Sequence, residues 1–162
     1  MSDALERLCA DQSKRLGAAL TRLVDAKAAD ELVSGLVQRR AAVWVESLGD
    51  MPIGFADLRA QAADAHGRGL PLVVENSLAT SFGCPACRLG ADVVVECLTR
   101  AWPEGTGRCV ALSASKACPS DLRVALAALP SAVFDDTAVT SLVAALAAFP
   151  ARRRREDDAA QV

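Results

Sequence analysis

Two short runs of this chain end in side chains able to do chemistry. Residues 71–74 lead into Glu75 and Asn76, and residues 92–97, which end at Cys97, lead into Thr99 and Arg100. Taken alone, Glu75 reads as a strand-end carboxylate, solvated at a sheet edge or capping the neighbouring turn. Thr99 reads as a hydroxyl capping a helix or turn start. Between the two runs, Cys84 and Cys87 have the C-x-x-C spacing of dithiol redox sites and of half zinc sites. Zinc needs two more ligands, yet no second C-x-x-C occurs and the single histidine, His66, stands well upstream. A redox dithiol would be helped by a helix start, which stabilises thiolates. The plainer reading is a pair of ordinary thiols.

The elements that must position these residues follow from pattern. Residues 71–74 and 92–97 are short, apolar and β-branched and are bounded by Gly, Pro and Asn, as strands buried on both faces are. Strands alternate with helical stretches, which predicts an α/β fold with a parallel sheet and ligand groups gathered at the strands' carboxyl ends. Upstream, Leu and Ala at helical spacing predict a first helix over 3–24, capped by Ser2 or Asp3. A loop is then expected at 25–30, a short helix at 31–39, a strand at 42–46 and a turn at 47–52. A crossover helix over 57–66 puts Leu58, Ala62 and Ala65 on one side, and the glycines at 67 and 69 stop it. Downstream, a strand is expected at 109–114, then Ala/Leu helices over 120–129 and 137–148, separated by Pro130 and an Asp135–Asp136 cap region. The closing basic run at 152–155 abuts Glu156, Asp157 and Asp158 and reads as a solvated helix with i,i+4 pairs.

Composition narrows the function classes. At 162 residues the chain is one domain's worth, long enough for a sizeable core. With 52% hydrophobic and 4% aromatic residues it is globular in character rather than disordered. A net charge of −2 and a pI near 5.4 supply no electrostatic reason to bind nucleic acid or an acidic membrane surface. No apolar run approaches a membrane span, and the MSDALERL start lacks a basic-then-apolar leader, so a cytoplasmic location is expected. The six cysteines are then expected to be reduced thiols rather than a disulfide framework.

Glu75-Asn76-Ser77, Ala79-Thr80, Cys84, Gly90-Ala91-Asp92 and Thr99-Arg100 together resemble the D-N-T-x-A-T, C, G-A-D and H-S-x-T-K signature of the Cys/Met-metabolism (trans-sulfuration) enzymes that use pyridoxal 5'-phosphate, PLP. The spacing from Glu75 to Arg100 fits that pattern without a gap. Glu46-Ser47-Leu48-Gly49-Asp50, resembling E-S-x-G-N, and Gly69-Leu70-Pro71-Leu72 point to the O-acetylhomoserine sulfhydrylase branch. A weaker similarity runs from Arg15 to the Pro150-Ala151-Arg152 region, which resembles the L-P-x-R-M-x-R-H helix.

The resemblance implies a three-layer α/β/α architecture, part of the large domain of the fold-type I PLP-dependent transferase fold, over residues 1–150. Residues 151–162 would begin the helix leading to a C-terminal small domain. The chain is far shorter than the family's enzymes, whose N-terminal phosphate cradle, stacking aromatic ring and dimer contacts are expected to lie before it. No Tyr stands in for the family's tyrosines. By family position Glu75 would face the cofactor's ring nitrogen, Cys97 and Thr99 its phosphate, and Asp50 the carboxylate of an amino-acid substrate. Arg100 takes the place of the lysine that forms the Schiff base.

Four of these positions depart from the family. A guanidinium stays protonated and is a poor nucleophile, so Arg100 cannot do the lysine's work. Glu75 adds a methylene to the family's Asp, Cys97 trades a hydroxyl donor for a weak thiol, and the charge of Asp50, in place of Asn, repels a carboxylate. Lys116, in Ser113-Ala114-Ser115-Lys116, superficially resembles S-x-T-K but is out of register and reads as a surface lysine after a strand. Three functional expectations result. The first is a diverged sulfur amino-acid metabolism relative without catalysis of its own. The second is a non-catalytic module that associates with itself or with a full-length relative through exposed apolar surface. The third is a Cys84/Cys87 redox protein.

Overall fold

The computed structural model describes residues 3–50, 53–98 and 109–159. Helix α1 (Asp3–Leu16) has Asp3 and Glu6 in its first turn and Lys14 and Arg15 in its last, in accord with the helix dipole, and buries Leu5, Cys9, Gln12 and Leu16 along one stripe. It ends far short of residue 24. Gly17, at φ +77, takes a conformation that L side chains rarely adopt, and Arg88 fills the space where its Cβ would stand. Strand β1 (Leu20–Asp25) follows, so a helix and a strand replace the single helix read from apolar spacing. The expected loop at 25–30 is also corrected. Asp25 accepts the N–H groups of Lys27 and Ala28 at 3.0 and 3.1 Å and starts α2 (Ala26–Gln38) directly.

Strand β2 (Val43–Glu46) leads into a small antiparallel hairpin, β3 (Leu48–Asp50) and β4 (Ile53–Phe55), where only a turn was expected. Asp57 caps α3 (Leu58–Gly67) through the Ala60 N–H at 3.1 Å. Then come β5 (Leu72–Glu75), the single turn α4 (Thr80–Gly83), a 3₁₀ turn over Ala86–Leu89, β6 (Val93–Cys97), β7 (Cys109–Ala114), α5 (Ser120–Ala128) and α6 (Asp136–Ala159). Helix α6 runs through Pro150, which has no N–H to give the Leu146 carbonyl.

The main sheet has the order β1-β7-β6-β5-β2. Strands β2, β5 and β6 are parallel, but β7 is antiparallel to both β6 and β1. The wholly parallel sheet expected from strand–helix alternation is therefore mixed. Only residues 98–108 separate β6 from β7, and so short a connection suits an antiparallel neighbour.

Alternate strand residues feed two helical layers. Val73, Val93, Val110 and Leu112 pack with Ala29 of α2 and with Leu122 and Leu126 of α5. On the opposite face Leu72, Val74 and Val94 meet Leu16 of α1 and Leu58, Ala62 and Ala65 of α3. There too Leu23, Cys109 and Ala111 meet Leu5 and Cys9 of α1 and Leu142 of α6. The result is the expected three-layer α/β/α arrangement. Because Glu96 continues the Val94 side of β6, its side chain enters the α1 and α6 layer.

Candidate functional site

The carboxyl ends of β5 and β6 are tied by a buried polar chain. Asn76, fully buried, accepts the Ser47 hydroxyl at 2.7 Å and donates to Glu96 Oε1 at 2.7 Å and to the Cys84 carbonyl at 3.1 Å. Glu75 Oε1 accepts the Ser77 N–H at 3.1 Å, and Ser77 Oγ accepts the Cys97 N–H at 2.7 Å. Thr80, a β-branched residue at φ +59, begins α4 with its N–H on the Asn76 carbonyl at 2.6 Å. A left-handed conformation is costly for such a side chain and is tolerated where the surroundings over-determine it.

These loops roof a cavity of about 370 Å³ between β6, α1, α4 and α6. Its polar lining includes Gln12, Ser77, Ser81, Glu96, Arg152 and Arg153. One wall is aromatic: the Phe82 and Phe149 rings lie 5.0 Å apart, with the Arg15 guanidinium 4.1 Å from the Phe82 centroid and the Arg152 guanidinium 5.1 Å from that of Phe149. Ser81 Oγ donates to Gln12 Oε1 at 2.9 Å.

Glu96 is the unusual member. It is only 2% exposed, and among the described residues no partner meets its Oε2 in hydrogen-bond geometry. Burial pushes its carboxyl up to about 8 and the Glu75 charge adds to the rise; the Asn76 hydrogen bond, the backbone N–H of Ser81 and the Arg15 charge pull the other way. Sequence reasoning counted 92–97 as an apolar run and passed over this residue. The available signal was an acid on the same alternation as Val94 in a strand buried on both faces, where an ionisable group must find partners or shift its pKa.

The positions picked from sequence fare unequally. Cys97 lines the cavity. Glu75 does not: its carboxylate caps the turn at Ser77, and its side chain shares the register row of Val95 and Glu46 on the opposite face of the sheet. Asp50 ends β3, paired with Ile53 across the hairpin. Thr99 and Arg100 lie outside the described residues.

Neither cysteine of the C-x-x-C is activated as a thiolate. Burial, reinforced by the Glu96 charge, raises Cys84, and burial with the Glu96 and Asp92 charges pushes Cys87 up to about 12, the opposite of what a reactive dithiol needs. All six cysteines are free. No cluster able to hold a metal occurs among the described residues, and His66 is bonded through Nε2 to Asp92 Oδ2 at 2.8 Å. Among those residues no helix is long and apolar enough to cross a membrane.

A model of the Cys/Met metabolism PLP-dependent enzyme family matches residues 3–128. The homocysteine/cysteine synthase of Kluyveromyces lactis is 33% identical over 95 residues, 58% of this chain and 21% of that protein. In three dimensions the chain resembles cystathionine gamma synthase from Xanthomonas oryzae pv. oryzae (TM-score 0.71, 14% identity, 93% of this chain and 52% of that one). It also resembles the O-acetylhomoserine sulfhydrylase of Wolinella succinogenes (TM-score 0.54, 16% identity, 68% and 46%). The likeness extends the three-layer fold to that of the fold-type I PLP-dependent enzymes. The matched stretch spans about a fifth of the curated relatives and about half of the solved chains.

The described residues do not fit PLP held as an aldimine. Lys14, Lys27 and Lys116 are all exposed, and none lines the cavity. Lys27 faces Glu31 on α2 at 3.8 Å. Lys116 follows β7, whose Ala114 pairs with Val93, so it stands at the amino end of β6, away from Cys97. The Glu75 carboxylate is turned into its own loop, and the acid that does line the cavity would repel a phosphate dianion once ionised.

Proposed function

We propose a function from one premise: this chain belongs to the Cys/Met metabolism PLP-dependent enzyme family, whose model covers residues 3–128. Its kinship is with the trans-sulfuration enzymes. On our reading it is a diverged relative that keeps the sheet and strand-end loops of the large domain and performs no trans-sulfuration chemistry of its own. We assign it to the O-acetylhomoserine sulfhydrylase branch on the Glu46–Asp50 and Gly69–Leu72 motifs. One observation carries this reading: the sequence that follows β6, residues 98–108, contains no lysine. By its motif spacing Arg100 stands in for the Schiff-base lysine, and a guanidinium neither loses its proton nor attacks an aldehyde.

The test is a PLP titration of the purified chain, trapped with borohydride and mapped by peptide mass, beside an Arg100→Lys variant. The expected result is no covalent adduct on the unmodified chain. An adduct on one of its own lysines, or turnover of O-acetylhomoserine with sulfide, would overturn the reading. An adduct on the introduced lysine would add that the pocket persists and that only the nucleophile was lost.

A second reading is favoured by the β3–β4 hairpin, where Ile53 and Phe55 are 84% and 80% exposed. Large apolar side chains so placed suit a non-catalytic module that pairs with itself or with a full-length relative. Sedimentation of an Ile53→Ser/Phe55→Ser double variant tests it: an unchanged mass, alone and mixed with a full-length relative, removes the hairpin from the interface.

A further inference from the structure

The cavity beside β6 contains an acid that the family chemistry does not use. With Glu96 Oε1 taken by Asn76, Oε2 is the oxygen left for a ligand: it is buried, and among the described residues none meets it in hydrogen-bond geometry. A buried polar atom in that condition has lost its water without a replacement, so a group that bonds it is favoured. The desolvation that raises the Glu96 pKa keeps its proton on near neutral pH, which makes Oε2 a hydroxyl donor. The other ionic lining is cationic, from Arg152 and Arg153. Phe82, Leu98, Leu146 and Phe149 make the rest of the wall apolar.

Donors at one side, guanidiniums at another and an aromatic wall between them select an anion with an apolar body. We propose that this cavity binds a small apolar monocarboxylate, one carboxylate oxygen accepting the Glu96 hydroxyl, its charge toward Arg152 and Arg153 and its body against the Phe82–Phe149 pair. The site uses no PLP and no lysine, so it stands or fails independently of the cofactor reading.

The charged and titratable groups around Glu96 set the pH dependence. Arg15 comes from α1, Glu75 from β5, Cys84 and Cys87 from the connector, and Arg152 and Arg153 from α6, with Cys97 next to it on β6. Ionising Glu96 places a second negative charge against the ligand. Carboxylate affinity therefore falls as pH rises through the Glu96 transition.

The experiment is calorimetric titration of the full chain with 3-phenylpropanoate, 3-phenylpropanamide and 3-phenylpropylamine at pH 6.5, repeated for the carboxylate up to pH 9.5. The expected result is at least tenfold tighter binding of the carboxylate than of the amide or the amine, weakening by about tenfold between the two pH limits. Glu96→Gln, which keeps a donor but cannot ionise, should bind with a flat pH profile. Leu98→Trp, which fills the cavity, should lose binding while its circular dichroism stays unchanged. Preference for the amine, equal affinity for all three probes, or no binding to the folded chain would each overturn the proposal. Should Glu96→Gln not fold, the probe ranking and pH profile of the unmodified chain decide the matter.

Discussion

Strand β6 has a buried acid at each end, and the two are treated differently. At the amino end Asp92, 3% exposed, has Oδ2 bonded to the Leu72 N–H and to His66 Nε2, both at 2.8 Å. There one carboxylate oxygen, bonded on two sides, pins α3 and β5 to β6. At the carboxyl end Glu96 is as deeply buried, yet its Oε2 is a buried oxygen that no described residue meets in hydrogen-bond geometry. The difference separates structure from site: an acid whose bonded oxygen ties two neighbouring elements together holds the fold, and one with a buried, unpartnered oxygen beside a cavity keeps capacity for a ligand.

The largest expected effect lies at the open end. Glu96 holds its proton in the folded chain to about pH 8, against an ordinary value of 4.5. Between those values the folded chain binds more protons than the unfolded one, so stability falls as pH rises through that window and levels off above it, by on the order of 5 kcal/mol in all. Urea denaturation from pH 4.5 to 9 checks this, with Glu96→Gln expected to lack the slope. An equally steep slope in the variant would assign it to another group.

At the closed end, Asp92→Ala strands the Leu72 N–H and removes the His66 contact, which should destabilise by about 3 kcal/mol at pH 7. A loss in urea no larger than that of an exposed substitution would break the contrast between the two acids. Ser47→Ala removes one buried donor to Asn76 and should destabilise by about 1 kcal/mol. It sharpens the comparison if it also moves the Glu96 transition, because Asn76 joins the two side chains. His66→Ala should have the smallest effect, below about 1 kcal/mol, since the ring is 45% exposed and water replaces much of its bond. A thermal midpoint lower than that of Asp92→Ala would reverse the assigned roles.

Much of this layout was legible in the sequence. The β-branched runs at 71–74 and 92–97, the Asp57 cap and the glycines after α3 all declare themselves locally, and the motif around Glu75 located the strand ends. The misses came where tertiary contact overrides local pattern. Apolar spacing carried the first helix past Gly17, whose stop depends on a left-handed φ with Arg88 packed against it. Asp25 read as loop because its capping role appears only once α2 begins. The reversed direction of β7 depends on which neighbour it pairs with, and no periodicity encodes that. Motif position put Glu75 at the site, but strand alternation sends its side chain to the other face, while Glu96, hidden among valines, faces the cavity.

The most direct measurement is a pH titration by carbon-detected NMR of the chain labelled at the glutamate side-chain carboxyl, read against Glu96→Gln. The expected result is one carboxyl titrating near pH 8 and missing from the variant. If every glutamate carboxyl completes its titration below about pH 6, the carboxyl end of β6 is as well satisfied as the amino end, and the contrast between the two acids is wrong.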